Sequence, residues 1–226
     1  MQKKSKKCTG SERAYADRRS MYKGEAVSLG KRSVRSRIMR ILLWLTGRHA
    51  PGFLTCIELQ ILLNVTAAAF GRKPEKIWFL PPEKALGKYA DFSVSCMNHA
   101  EISPETSRRI YRYAFALGVR IRKLTGFTEK TDLQSLVFFL YRNIGIAMSG
   151  SLPGEIAVTE CFFSRRYTPR QCALMSRMDS GVVGGIFGER VKHGKLVFSQ
   201  RLTEGCNVCR ASLCGCCKSN CRKSSC

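Results

Sequence analysis

EIAVTECFFSRRYTPRQCALMSRMDSGVVGGIFGERVKHGKLVFSQRLT, residues 155–203, decides the fold. Ile156, Val158 and Cys161 set against Ala157, Thr159 and Phe162 have the alternation of a strand. Thr168-Pro169 is a cap followed by a first helical residue. The helix it opens runs from Pro169 to about Phe187 and is closed by Gly188. Lys195 to Thr203 reads as a second strand. The text before residue 149 is helical. The fold class is therefore α+β, a helical N-terminal half packed on a small C-terminal strand-helix-strand module.

Working outward, Ser149-Gly150-Ser151-Leu152-Pro153-Gly154 is a turn-rich joint. Upstream of it, Thr131 caps a helix from Asp132 to about Ile146. Ser103 caps another, with Pro104 at its first position and Gly126 at its end. Ile110, Phe115, Leu117, Ile121 and Leu124 give that helix an apolar face. A helix follows Pro81-Pro82 and reaches Met97, and another covers Thr55 to Phe70. The first helix begins near Ser33 and ends near Gly47, before Pro51-Gly52. Residues 1–33 are a basic, flexible arm, and 34–209 form one domain, helical over 34–148 with a cysteine-bearing module over 155–209. Residues 210–226 are a basic, Cys-rich tail.

The chain has 226 residues and 44% hydrophobic composition, enough for a core and against global disorder. Its net charge is +23, and the excess lies at the ends: 13 basic against 3 acidic residues in 1–40, and 12 against 3 in 165–226. Such a field attracts phosphates, acidic lipids and small anionic molecules. Nucleic-acid binding through the basic ends meets the electrostatic criterion, but no helix-turn-helix spacing or RNP pattern accompanies it. The most apolar run, Phe53 to Phe70, contains Glu58, Gln60 and Asn64. A carboxylate at that depth resists lipid, so the run is expected to be an amphipathic core helix with no transmembrane segment. MQKKSKKCTG has no apolar run behind it, which points to a cytoplasmic protein with reduced thiols. The oligomeric state is left open.

Two constellations carry chemistry. Cys172, Ser176 and Asp179 stand at i, i+4 and i+7 and share one helix face, so a thiol and a carboxylate converge if that face looks into a cleft. The ordinary alternative is a small buried Cys and a solvated Asp. Cys206 and Cys209 form a CxxC, half of a zinc or iron–sulfur site, with Cys161 as a third ligand in a metal-binding reading. Seven of the twelve Cys lie between Cys206 and Cys226, but the tail spacing fits no zinc finger. Arg165 and Arg166 offer an anion site or a solvated edge. Gly181-Val-Val-Gly-Gly185 lies inside a helix, where it favours close helix packing over a dinucleotide turn. His49, His99 and His193 are scattered and form no HxxxH or HExxH.

Residues 161–213 resemble the C-terminal part of the L-2-amino-thiazoline-4-carboxylic acid hydrolase family, through Cys172, Asp179, Arg201, Leu202-Thr-Glu-Gly205 and Cys209. Arg210-Ala211 stands where that family has Asp-Phe. ALGKYADFSVSCM (residues 85–97) and 161–209 are similar to uncharacterised proteins of anaerobic gut bacteria. The Gly205-to-Cys209 ending is similar to vinyl-reductase-type small-molecule-binding domains, with Phe198 where some carry a zinc-binding Glu. The resemblance implies a hydrolase-like protein acting on a small polar carboxylate or heterocycle. Cys172 would be the nucleophile or a ligand contact, Asp179 the general base or a group that orients the substrate, Arg201 would pair with the substrate carboxylate, and Gly205 and Cys209 would lie at the substrate. No His stands in the motif to activate the thiol. The alternative is a non-catalytic small-molecule binder, or a zinc or iron–sulfur protein using Cys161, Cys206 and Cys209.

Overall fold

The helix Pro169–Phe187 is the axis of the molecule, and thirteen of its nineteen residues are buried. A computed structural model describes residues 52–99, 103–152, 154–188 and 195–214. The expected arm, the first helix, His49, His193 and the tail beyond Cys214 lie outside the described residues. The elements in chain order are α1 (Gly52–Phe70), α2 (Pro82–Asn98), α3 (Pro104–Thr125), α4 (Lys130–Asn143), β1 (Ile146–Gly150), β2 (Glu155–Cys161), α5 (Pro169–Phe187), β3 (Lys195–Gln200) and β4 (Cys209–Cys214). Short 3-10 turns cover Phe162–Arg165 and Leu202–Glu204. The class is α+β, with helices first and one antiparallel sheet of order β1-β2-β4-β3.

The expected helix ends hold where local chemistry sets them. Ser103 Oγ accepts the Thr106 N–H at 3.2 Å, and Gly126 closes α3 at φ 68°. Thr168 and Gln171 form a reciprocal capping box at the start of α5. α4 departs from expectation. Leu133 N–H bonds to Glu129 O, so Glu129 is the cap and Thr131 lies in the first turn. α4 also ends at Asn143, because Gly145 takes φ 75° and turns the chain into β1, a strand the helical pattern had concealed.

The sheet extends past the expected domain end. Residues 210–214 belong to β4, which pairs with β2 on one side and β3 on the other. The module therefore closes at Cys214 or later, and β3 ends at Gln200. β2 stops at Cys161, where Phe162–Arg165 coil into a 3-10 turn.

α5 packs on α3 across glycines. A Cβ on Gly118 would strike Val182 O, and one on Gly185 would strike Phe115 O. One on Gly181 would sit 2.6 Å from Ala114 Cβ. The backbones touch because no side chain intervenes, so the Gly181–Gly185 run serves helix packing. On another side α5 meets β3, where Ser180 Oγ donates to Leu196 O at 3.2 Å.

α1 corrects the expectation of an amphipathic helix. Cys56, Leu59, Leu63 and Ala67 are buried, while Phe53, Ile57 and Ile61 stand exposed on another side. Among the described helices it alone is long and apolar enough to cross a bilayer.

Candidate functional site

The helix face bearing Cys172 and Asp179 looks into a cavity of about 270 Å³ enclosed by α1, α3, α4, α5 and the 144–146 turn. Its wall is largely aliphatic and aromatic: Ile57 and Ile61 from α1, Leu117 and Ile121 from α3, Phe139 and Leu140 from α4, Met175, Met178 and Val182 from α5. Into this wall project two carboxyl groups, Asp179 and Glu58, two thiols, Cys161 and Cys172, and the rings of Tyr89, Tyr141 and Tyr167. No histidine lines it among the described residues.

Cys161 reaches the cavity through a bulge. Ala147 pairs with Glu160 and Met148 with Val158, which leaves Thr159 as the extra residue of β2. Strand alternation alone would put Cys161 on the opposite face from Ile156 and Val158. One inserted residue returns it to the inner face. Its thiol is pushed up to about 12, mainly by burial.

Asp179 has protein on every side except the cavity. Burial raises its carboxyl to about 6, against the Tyr141 hydroxyl that donates to Oδ1 at 2.9 Å and the Arg201 charge nearby. At pH 7 it is mostly ionised. Tyr141 is itself kept protonated by burial first and by the Asp179 charge second.

Glu58 is the residue that sequence reasoning missed. Burial in the apolar wall lifts its carboxyl to about 8, and the only countering contact is Asn143 Nδ2 donating to Oε2 at 3.2 Å. At pH 7 it is mostly a neutral acid. The signal lay in plain view as a lone carboxylate in the most apolar run of the chain, where it served only to argue against lipid. Its partner, Asn143, comes from α4, eighty-five residues away in the chain.

The other expected site residues divide. Ser176 is turned from the cavity: its hydroxyl donates to Ala173 O at 2.8 Å and accepts from Arg201 Nη2 at 3.3 Å. Arg201 stands behind the wall, its side chain 17% exposed, 4.9 Å over the Phe198 ring and 3.7 Å from Glu204. Its Nε is buried with no hydrogen-bond partner. Cys209 is not on the cavity wall. It is buried at the start of β4, where Sγ accepts the Leu202 N–H at 3.2 Å. Gly205 is also not there: it turns the chain after the 3-10 helix at φ 83°, and a Cβ on it would meet open space. Cys172 Sγ faces the cavity, with its pKa raised by burial while Thr203 and Arg201 pull it back.

The metal reading of Cys161, Cys206 and Cys209 gains no support from the described residues. No three His, Cys, Asp or Glu among the described residues converge as a metal group. Cys161 looks into the cavity, Cys209 accepts a backbone N–H in the core within electrostatic reach of Cys161, and Cys206 follows the turn at Gly205. Arg166 is likewise committed, 2.9 Å from Asp91 and over the Phe162 ring. The exposed His99 bonds back to Ser95 O at 2.8 Å.

The fold and cavity define an α+β protein with a partly open apolar cavity whose wall carries two carboxyl groups. Protein-family models, curated proteins and solved structures yield no match to this chain.

Proposed function

We propose that the protein binds an apolar small molecule in this cavity, with Glu58 receiving its one polar group. The observation that carries the reading is the wall itself, largely aliphatic and aromatic, into which two carboxyl groups project. At 270 Å³ the chamber is close to twice the roughly 150 Å³ that suffices to hold benzene. Apolar surface supplies the affinity, and a few placed polar groups fix orientation. Asp179 is occupied by Tyr141 and Arg201. Glu58 has Asn143 alone and, as a neutral acid, both donates and accepts, which suits a hydroxyl, carbonyl or ether on the ligand.

The test is displacement of a neutral solvatochromic dye, followed by mass spectrometry of what natively purified protein releases on unfolding. Dye binding should fall in Val182→Trp and Ile57→Trp, each of which fills the chamber from a different helix. It should weaken about tenfold per pH unit above the Glu58 pKa of about 8, as the acid ionises. Undiminished binding in both folded Trp variants would remove the reading.

A second reading rests on Cys172 and Asp179 sharing one wall with Arg201 behind them. This is the thiol hydrolase that the family resemblance implies, acting on a small polar carboxylate. A raised thiol and a cavity wall without histidine weigh against it. Alkylation of Cys172 by iodoacetamide at pH 7, measured residue by residue, decides. A rate no faster than that of the other cysteines sinks this alternative.

A further inference from the structure

The connection from α1 to α2, residues 71–81, is built to hold two aromatic rings in water. Ile77 is its plug, 1% exposed against α1. Gln60 pins its backbone three times: Nε2 donates to Glu75 O at 2.8 Å, and Oε1 accepts the N–H groups of Ile77 at 2.6 Å and Trp78 at 3.3 Å. Leu80 N–H closes a turn on Ile77 O at 3.0 Å, and Cys56 Sγ donates to Leu80 O at 3.1 Å. Pro81 and Pro82 stiffen the exit. At the tip of this fixed turn Trp78 and Phe79 are 58% and 63% exposed, ring edge to ring face with centroids 5.8 Å apart.

The neighbourhood continues the pattern. Gln60 and Cys56 tie the turn to α1, where Phe53 is also exposed, while Ile57 and Ile61 belong to the cavity wall and take no part in the turn. Around it residues 71–88 carry five basic side chains, Arg72, Lys73, Lys76, Lys84 and Lys88, against Glu75 and Glu83. Arg72, Lys73 and Lys88 also line a surface hollow with Glu75, Ser95 and Asp91, the last already paired with Arg166.

We propose that this turn is a membrane wedge, which seats Trp78 and Phe79 in the interface of an anionic bilayer while the surrounding lysines and arginines meet lipid headgroups. Trp favours that interface because its ring is apolar and its N–H stays wet. Anionic headgroups attract each nearby cation. A second copy of the chain is the poorer occupant, because it would bring one +23 surface against another. The wedge stands apart from the cavity reading and holds whether or not the chamber takes a ligand.

The net charge alone would draw the chain to anionic vesicles, so the experiment must read the wedge itself. Trp44 and Trp78 are the only tryptophans, and Trp44→Phe makes Trp78 the sole reporter. The full chain is mixed with phosphatidylcholine vesicles, with or without phosphatidylserine, and with acyl-brominated lipid. Trp78 emission should shift to the blue and be quenched by bromine only with phosphatidylserine present. Partitioning of Trp78→Ser/Phe79→Ser should fall at least about tenfold, since the transfer of two aromatic side chains from water to lipid is lost. Both side chains are exposed, so the variant keeps its circular dichroism. Lys76→Gln/Lys84→Gln should weaken partitioning without abolishing the quenching. Unquenched Trp78 on bound protein, or equal binding by the Ser/Ser variant, assigns the attraction to charge elsewhere and overturns the wedge. So does no vesicle binding at all, or a need for Trp78 and Phe79 only in capturing an acidic protein.

Discussion

Replacing Glu58 by Gln should stabilise the fold, and the gain should depend on pH in a way that identifies the carboxyl. Gln keeps the shape of the protonated acid, and its Oε1 still accepts from Asn143. The wild-type acid has a folded-state pKa near 8 against an ordinary 4.5. Below 4.5 both folded and unfolded chains hold the proton, so wild type and variant differ little. Between 4.5 and about 8 the unfolded chain releases a proton that the folded one retains, and wild-type stability falls as pH rises. Above 8 both states are ionised and the difference levels off. At 1.36 kcal/mol per pH unit, the interval from 4.5 to about 8 sets a ceiling of about 5 kcal/mol. Water entering the cavity lowers it, and we expect about 2–4 kcal/mol in favour of Glu58→Gln at pH 8. Urea unfolding at pH 5, 6, 7, 8 and 9 measures the difference directly. Asp179 titrates in the same way toward its value of about 6, but does so in both proteins and cancels. A wild-type-to-variant difference that stays flat from pH 5 to pH 9 would refute a buried, proton-retaining Glu58.

Two further outcomes follow from packing and pairing. Gly185→Ala should destabilise by about 2 kcal/mol or more despite the better helix propensity of Ala, because the methyl meets the α3 backbone. Gly87→Ala on α2, where a Cβ touches nothing within 4 Å, should instead stabilise by about 0.5–1 kcal/mol, and thermal melts of the pair separate contact from propensity. Asp179→Ala leaves the Tyr141 hydroxyl without its acceptor and removes the buried carboxylate charge that Arg201 faces. It should cost about 2–4 kcal/mol at pH 7 in urea unfolding, while Asp179→Asn, which still accepts from Tyr141, should cost less.

How much of this was legible beforehand varies by residue. Thr168-Pro169 to Gly188 and Ser103-Pro104 to Gly126 could be read because caps, prolines and terminal glycines act within one turn of the chain. β1 was hidden because Ile144, Ile146 and Met148 continue an apolar helical text, and a single positive φ at Gly145 breaks it. β4 was hidden because Cys209–Cys214 resembles the Cys-rich tail that follows, and only pairing to β2 and β3 makes it a strand. Cys172 and Asp179 were placed on one face by helix geometry, and that face does meet the cavity. Gly205 shared the motif but faces open space, and Cys209 lies behind the wall, within electrostatic reach of Cys172 and Asp179.

The sequence by itself determined the α+β class, the span of the central helix and the side of it that carries the thiol and the carboxyl, since these depend on neighbours a few residues apart. Only the tertiary structure decided that Glu58 of α1 meets Asn143 of α4, that Arg201 backs Asp179, and that a bulge at Thr159 turns Cys161 inward. Those relations join segments as many as eighty-five residues apart. They arise from helices brought into backbone contact and from strand register, and no local pattern encodes either.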